Sequence, residues 1–192
     1  MMETKTIAVI AIFTALSVGL VLSPFKFPFP LLPFLKYQIW EIPLVAAFLL
    51  YGPLVGIGAA FINTVILLVV YPGDLPTGPL YNLAAVVSML LGIYVIHMFA
   101  GKYFSRGRET ILTGFSTILG SIARVGFMSI VNWICLRYPY PIGYSMPEAA
   151  IIPMIPLIGL FNATLALYTI PLGYVIARAV SLGINTPRWS QR

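Results

Sequence analysis

Five polar side chains interrupt the long apolar segments of this sequence, and these are the residues most able to bind something. They are Asn63, Asn82, Arg124, Asn132 and Asn162. Because an unpaired polar group in an apolar environment costs several kcal/mol, each of them needs a partner or a function. Asn82, Asn132 and Asn162 lie toward the same predicted side of their segments, so they could converge at one depth.

An asparagine amide offers two donors and an acceptor, which suits a neutral heterocycle with an imide or lactam edge. For any one asparagine the simpler interpretation is a hydrogen bond between helices, worth about 0.6 kcal/mol on average. For the three that share one depth, contact with a ligand is an equal alternative.

Arg124 lies in the middle of an apolar segment, which is the most expensive place for a charge. One interpretation is that it contacts a carbonyl or phosphate group of a ligand. The other is that it pairs with Glu41 or Glu148, and the sequence leaves both open. Glu41 comes just before Ile42-Pro43 at a predicted helix start, where an acid and an early proline are both stabilising, so a structural role is favoured there.

The residue sets that carry covalent chemistry are missing from the sequence. It contains no paired carboxylates, no Ser/His/Asp set, no phosphate-binding loop and no metal cluster, and His97 and Cys135 are the only residues of their types. We therefore expect no enzyme activity, no cofactor and no metal, and we interpret His97 as a packing residue.

The composition indicates the class of protein that holds these polar residues. Of the 192 residues, 60% are hydrophobic and 8% are charged, whereas a soluble domain is about 25% charged. A chain with so little polar surface is an integral membrane protein. Its net charge of +6 does not indicate a nucleic-acid partner, because no basic patch interleaves with aromatic residues in a soluble module.

Apolar runs divide the chain into helices. A bilayer core of about 30 Å needs roughly 20 apolar residues, and the Gly52-Pro53 pair divides one long run in two. We expect an all-α membrane protein with six transmembrane helices, a short second helix, and a sixth helix broken by Pro153, Pro156 and Pro171. The predicted spans of this single domain, 1–192, are residues 7–22, 40–51, 54–70, 80–100, 111–136 and 149–177.

The basic residues predict the orientation. Seven of them fall on the side of the two termini and three on the opposite side, which by the positive-inside rule places both termini in the cytoplasm. The inner group is Lys5, Lys102, Arg106, Arg108, Arg178, Arg188 and Arg192, and the outer group is Lys26, Lys36 and Arg137.

The three predicted outer loops, residues 23–39, 72–79 and 137–147, are long and rich in proline and aromatic residues. An aromatic belt at the membrane interface would explain one such loop. Three such loops on one face favour a different interpretation, in which stiff loops cover a ligand-binding site. In the first helix, Ala11 and Ala15 form a small-xxx-small stripe that lets another helix approach closely, either within the chain or from another subunit.

These motifs resemble those of a known family. Lys26-Phe-Pro-Phe-Pro-Leu-Leu-Pro33, Glu41-Ile-Pro43, Gly52-Pro-Leu-Val-Gly56 and Gly73-Asp-Leu-Pro-Thr-Gly-Pro79 occur in the order and spacing found in the S components of energy-coupling factor (ECF) vitamin transporters. The resemblance is closest to the riboflavin-specific member and extends over residues 5–178. One position departs from that pattern, because Leu165 stands where riboflavin binders have a lysine three residues after the asparagine of the sixth helix.

The resemblance implies a substrate-binding subunit in the cell membrane that captures riboflavin or a related flavin as a transported ligand. It implies docking through Ala11 and Ala15 onto a transmembrane coupling subunit that is driven by two ATPase subunits. It also implies that the ligand is held between loop aromatics and polar side chains of the helices. The expected ligand-binding residues are Phe34, Tyr37, Trp40, Tyr81, Asn82, Arg124, Asn132 and Asn162.

Two alternatives stay open at this point. One is an S component for another small vitamin or precursor, such as thiamine or pantothenate. The other is a small-molecule porter that works without partners, although the sequence shows neither a ring of charges nor an internal repeat that would favour it.

Overall fold

The computed structural model describes residues 4–70, 75–104, 109–183 and 189, with residues 100–104 described as backbone only. Six helices occur in this part of the chain. They are α1 (Thr4–Leu22), α2 (Glu41–Tyr51), α3 (Pro53–Val70), α4 (Gly78–Phe104), α5 (Glu109–Cys135) and α6 (Glu148–Gly183). Each overlaps one predicted span, and most helix ends lie within a few residues of the predicted ends.

Five of these helices are long and apolar enough to cross a membrane, and α2 is the exception. With 11 residues, α2 is about 16 Å long, which is shorter than the roughly 30 Å of a bilayer core. Residues 41–50 are all buried, and α2 packs against α1, α3 and α6. A helix that is apolar on every face belongs inside a bundle, and α2 lies at the centre of this one.

The break between α2 and α3 lies at the predicted Gly52-Pro53 pair. Gly52 has φ 97° and ψ 179°, and its N–H caps α2 by donating to the carbonyl oxygen of Phe48. Pro53 begins α3, where its missing N–H removes no helical hydrogen bond.

The first of the predicted outer loops contains regular structure that the all-α prediction missed. Phe27–Phe29 (β1) and Leu32–Tyr37 (β2) form an antiparallel hairpin with Phe27 opposite Tyr37. Its register shifts between Pro28 and Phe29. A proline is tolerated in a strand at an edge or a bulge, so these prolines did not prevent pairing.

The predicted breaks in the sixth helix are wrong. Helix α6 runs for 36 residues and contains Pro153, Pro156 and Pro171 within it. In membrane helices, neighbouring helices, Ser and Thr side chains and local backbone adjustment can satisfy the carbonyl groups that a proline leaves unbonded.

Part of the predicted orientation cannot be followed in the structure. The side chains of Lys102, Arg106, Arg108, Arg188 and Arg192 lie outside the described residues. On the predicted inner side, Arg178 Nη1 of α6 lies 3.8 Å from Glu109 Oε2 at the start of α5.

Candidate ligand-binding site

A cavity of about 220 Å³ lies between the hairpin and the adjacent ends of the helices. The hairpin, the ends of α2 and α4, one face of α5, the 136–147 loop and α6 all contribute to its wall. The polar and aromatic lining residues are Lys26, Phe34, Lys36, Gln38, Trp40, Glu41, Tyr81, Asn82, Arg124, Asn132, Tyr144, Phe161 and Asn162. Small-molecule sites typically enclose roughly 300–1,000 Å³, which is more than this cavity offers. A ligand that needs such a site can enter only if the hairpin or the 136–147 loop shifts outward.

Helix α5 delivers its polar residues to the cavity through a simple periodicity. The helix buries every fourth residue along one face: Leu112, Ser116, Gly120, Arg124, Met128 and Asn132. Residues four apart lie above one another on a helix. The last three of this series therefore form the α5 wall of the cavity.

A buried ion pair forms the polar floor of the cavity. Arg124 is 3% exposed and Glu41 is 2% exposed. Nη2 of Arg124 donates to Oε1 of Glu41 at 2.9 Å, and Nη1 donates to Oε2. The guanidinium and the carboxylate thus meet in the bidentate arrangement that gives the strongest pairs of this type. Of the two partners that the sequence left open for Arg124, the structure selects Glu41, whereas Glu148 lies near Arg137 at 4.0 Å.

The same arginine orients an asparagine of α6. Nε of Arg124 donates to Oδ1 of Asn162 at 2.9 Å, and Nδ2 of Asn162 donates to the carbonyl oxygen of Ile158 at 2.9 Å. Nδ2 of Asn132 donates in turn to the carbonyl oxygen of Met128 at 2.7 Å. Both amides are fixed by these bonds, and each retains a further N–H for a ligand.

Two hydrogen bonds fasten the end of the hairpin to α6. Tyr37 Oη and Thr164 Oγ1 are 2.8 Å apart, and Tyr168 Oη donates to the carbonyl oxygen of Gln38 at 2.6 Å. The ring of Tyr37 also packs against Phe161, with 5.0 Å between the ring centroids. The hairpin is therefore held over the cavity by contacts that involve few residues.

On the other side of the cavity, the start of α4 is tied to the 136–147 loop. Thr77 Oγ1 donates to the carbonyl oxygen of Pro141 at 2.7 Å, and Tyr81 Oη donates to that of Ile142. Tyr144 of the same loop packs against Phe34 of the hairpin, with 5.9 Å between the ring centroids. The loop and the hairpin thus meet above the cavity.

Most of the ligand-binding residues expected from the sequence lie together in this cavity. Its wall contains Phe34, Trp40, Tyr81, Asn82, Arg124, Asn132 and Asn162. Tyr37 is not part of the wall, because it faces α6. Asn63 is buried in α3, also away from this cavity.

The charged and amide residues of the cavity that sequence reasoning missed are Lys26, Lys36, Gln38 and Glu41. The position of Glu41 at a helix start gave it a sufficient structural explanation, although it was one of two acids considered for Arg124. Gln38 lies in a loop expected to contribute aromatics. Within the described part of the chain, Oε1 of Gln38 is buried without a hydrogen-bond partner, so a donor from a ligand would satisfy it.

The small-residue stripe of α1 faces a second, apolar groove. Ala11 and Ala15 are exposed, and with Gly19 they line a groove of about 610 Å³ whose far wall is Ile62 and Ile66 of α3. Thr14 is the only residue of the groove wall with a polar side chain, and its hydroxyl donates to the carbonyl oxygen of Ala59. This groove suits an apolar helix better than a polar ligand.

A metal site is also absent from the part of the chain that the structure describes, where no three His, Cys, Asp or Glu side chains come together. His97 is buried and bonds through Nε2 to Tyr174 Oη, which donates to Ser116 Oγ at 2.8 Å. This network joins α4, α5 and α6 away from the cavity.

Comparisons with known proteins point to transport. No family model matches the sequence. The chain is 28% identical over 151 residues to the riboflavin transporter RibU of Staphylococcus aureus (strain TCH60). The aligned region covers 78% of this chain and 75% of that protein. It is also 29% identical over 142 residues to the riboflavin transporter FmnP of Bacillus subtilis (strain 168). That aligned region covers 72% of this chain and 70% of that protein.

A solved structure shares the fold. The S component of a bacterial ECF transporter matches with a TM-score of 0.76 and 23% identity, over 95% of this chain and 99% of that one. This chain and that S component therefore share one fold.

Proposed function

We propose that this chain, which shares its fold with an S component and is similar in sequence to riboflavin transporters, captures riboflavin or a related flavin from outside the cell. It then delivers the vitamin through an ATP-driven ECF module. The S component binds and releases the ligand without changing it, so the chain needs neither a cofactor nor a metal.

The observation that carries this proposal is the cavity under the hairpin. Its wall combines aromatic side chains with amides, with an ion pair whose charges cancel, and with Lys26 and Lys36. The ring system of a flavin is planar and aromatic along its length, and one end is an uncharged imide. Aromatic walls suit the ring, and fixed amides suit the imide edge.

The position that departs from riboflavin binders lies in the same cavity. Leu165 is 4% exposed and lines the cavity where the resemblance expects a lysine. Arg124 lines it too, from α5 rather than α6. We infer that a flavin meets the neutral Arg124–Glu41 pair here instead of a lysine, so the loss at Leu165 is compatible with an uncharged flavin ring.

The topology that fits this function has both termini in the cytoplasm. All six helices then belong to one membrane domain, residues 1–192, with α2 enclosed by the others. The hairpin and the 136–147 loop lie on the outer side, where the vitamin arrives. The excess of basic residues on the opposite side supports this orientation.

The groove at Ala11 and Ala15 is the proposed contact with the coupling subunit. It is apolar, it is exposed along α1, and it lies on a different face from the ligand cavity. Small residues allow a partner helix to approach the backbone closely. The two ATPase subunits would act through that coupling subunit.

Purification of the full-length chain tests the proposal directly. We expect a yellow protein whose extracted ligand is a flavin by mass spectrometry, and one-to-one riboflavin binding by calorimetry after unfolding and refolding. A colourless preparation that binds no flavin after refolding contradicts it. Extraction of thiamine or pantothenate would assign another vitamin, and uptake into liposomes without ATPase subunits would indicate a self-sufficient porter.

A further inference from the structure

Glu41 makes no separate contribution to the function proposed above, yet it occupies the floor of the cavity. A glutamate that only begins a helix has no reason to be 2% exposed. Carboxylates are almost never fully buried unless they are paired. Here both carboxylate oxygens accept hydrogen bonds from Arg124 of α5.

The contacts of Glu41 fix the direction in which Arg124 points. The carboxylate engages the two terminal nitrogens of the guanidinium and leaves Nε to Asn162. Because the guanidinium is planar and its donors have fixed directions, orienting two of them orients the third. Glu41 therefore determines where Nε meets the amide oxygen of Asn162.

The contact with Arg124 determines in turn what Asn162 offers to a ligand. Its Oδ1 already accepts from Arg124, and one N–H of its Nδ2 already donates to Ile158. What remains is the second N–H, which is a donor. Asn132 engages one N–H with Met128, so its second N–H and its Oδ1 stay available to a ligand. A donor from Asn162 and an acceptor from Asn132, which line the same cavity, match the alternating carbonyl and N–H groups of an imide.

The pair also sets the charge of the cavity floor. Glu41 and Arg124 contribute one negative and one positive charge within hydrogen-bonding distance of each other, so this pair is neutral. The other charged residues of the described wall are Lys26 and Lys36. Without Glu41, the guanidinium would be an unpaired cation at a buried site, where an anion would stabilise it.

We propose that Glu41 is a positioning residue that determines ligand specificity, because it neutralises Arg124 and fixes Asn162 so that the site selects an uncharged imide over an anionic ring. This inference rests on the proposed capture of a flavin. It differs from an ion pair that merely joins α2 to α5, because such a pair would affect all ligands of one shape equally.

The test compares two flavins of nearly the same shape on the full-length protein. Riboflavin is neutral, whereas 8-hydroxyriboflavin (a hydroxyl in place of the 8-methyl group) is ionised at neutral pH and carries part of its negative charge on the pyrimidine ring. Dissociation constants for both are measured on the wild type, Glu41→Gln, Glu41→Asp and Glu148→Gln. The last variant is the matched control, since Glu148 is 60% exposed at its side chain and lies outside the cavity.

We expect the wild type to prefer riboflavin, and Glu41→Gln to shift the ratio of the two constants toward the anion by about tenfold or more. Glu41→Asp, which keeps the carboxylate, should retain most of the wild-type preference, and Glu148→Gln should retain all of it. If Glu41→Gln weakens both ligands by the same factor, the inference is wrong while the proposed function stands. If the wild type binds neither flavin, the proposed function fails and the inference falls with it.

A second variant decides the matter if Glu41→Gln does not fold. Combining Glu41→Gln with Arg124→Gln removes both charges and keeps side chains that can form hydrogen bonds. We expect this double variant to bind both ligands more weakly than the wild type while still preferring riboflavin. Equal binding of the two ligands would overturn the inference.

Discussion

Gly92 of α4 and Gly120 of α5 approach each other so closely that there is no room for a side chain between them. A Cβ atom on Gly92 would lie 2.7 Å from Cα of Gly120 and 2.7 Å from the carbonyl oxygen of Leu119. Gly120 is one turn before Arg124 on the buried face of α5. The close approach of the two backbones therefore sets the depth at which Arg124 reaches Glu41.

Gly92→Leu should separate α4 from α5, because the new side chain would meet backbone atoms that cannot move aside. We expect a lower melting temperature and a loss of riboflavin affinity of at least tenfold, since Arg124 moves with α5. Thermal unfolding in detergent and calorimetry measure the two effects. Gly126→Ala is the control on α5, because a Cβ there meets none of the described atoms within 4 Å. Normal affinity in Gly92→Leu would show that the glycine contact does not position the site.

The amides of the cavity should be worth about 1–3 kcal/mol of binding each, since their loss leaves a buried polar group of the ligand unsatisfied. We therefore expect Asn132→Leu and Asn162→Leu to raise the dissociation constant for riboflavin by about five- to 150-fold. Asn63→Leu is the matched control, because Asn63 is equally buried in a helix but does not line the cavity. A similar loss of affinity in all three variants would mean that the effect is general destabilisation.

The hydrogen bond from Tyr168 to the hairpin should slow the release of the ligand. Tyr168→Phe removes the hydroxyl that donates to the carbonyl oxygen of Gln38 and keeps the ring. A net hydrogen bond contributes about 0.5–1.5 kcal/mol, so we expect the dissociation rate to rise by about two- to tenfold. Stopped-flow recovery of flavin fluorescence measures this rate. Tyr138→Phe, at an exposed loop position, should leave the dissociation rate unchanged. An unchanged rate in Tyr168→Phe would show that the contact between Tyr168 and the hairpin does not limit ligand release.

The groove of α1 should matter for transport and not for binding. We expect Ala11→Phe and Ala15→Phe to abolish riboflavin uptake in liposomes that contain the complete ECF module, because the bulky ring prevents close helix approach. Riboflavin affinity of the isolated chain should stay within about twofold of the wild type, since the groove and the cavity share no residue. Ile12→Phe places the same ring at an exposed position outside the groove and serves as the control. An equal fall in affinity would mean that the stripe packs within the chain.

The helices could be predicted from the sequence because apolar runs of this length follow directly from the thickness of a bilayer. The Gly52-Pro53 break could be predicted for the same reason, since both residues act locally. The prolines of α6 misled the prediction, because their effect depends on neighbouring groups that the sequence does not place. The hairpin was missed because its pairing of Phe27 with Tyr37 depends on a register shift at Pro28 and Phe29.

The sequence indicates which types of residue line the cavity, but it indicates less well how those residues are arranged. Asn132 and Asn162 were singled out because buried amides are expensive and lie at similar depths. Tyr37 was placed with the cavity aromatics, but the hairpin directs it toward α6. The partner of Arg124 could be reduced to two acids only, because Glu41 and Arg124 are 83 positions apart and no local pattern fixes how α2 meets α5.

Gly52 should be the position in the α2–α3 junction least able to accept a side chain. Its φ of 97° and ψ of 179° lie in a region that only glycine adopts readily, and other residues there cost about 1–3 kcal/mol. A Cβ would also lie 2.8 Å from Cδ1 of Trp189, whose indole stacks on Tyr94 with 5.8 Å between the ring centroids.

We therefore expect Gly52→Ala to lower the melting temperature, measured by thermal unfolding in detergent, whereas Gly19→Ala on α1 should not. The two causes can be separated with Trp189→Ala. Adding that change to Gly52→Ala removes the steric conflict and leaves the backbone strain, so it should restore only part of the lost stability. Complete restoration of the melting temperature would mean that the steric conflict with the indole causes the whole loss. If Gly52→Ala alone is as stable as the wild type, the positive φ of Gly52 is contradicted.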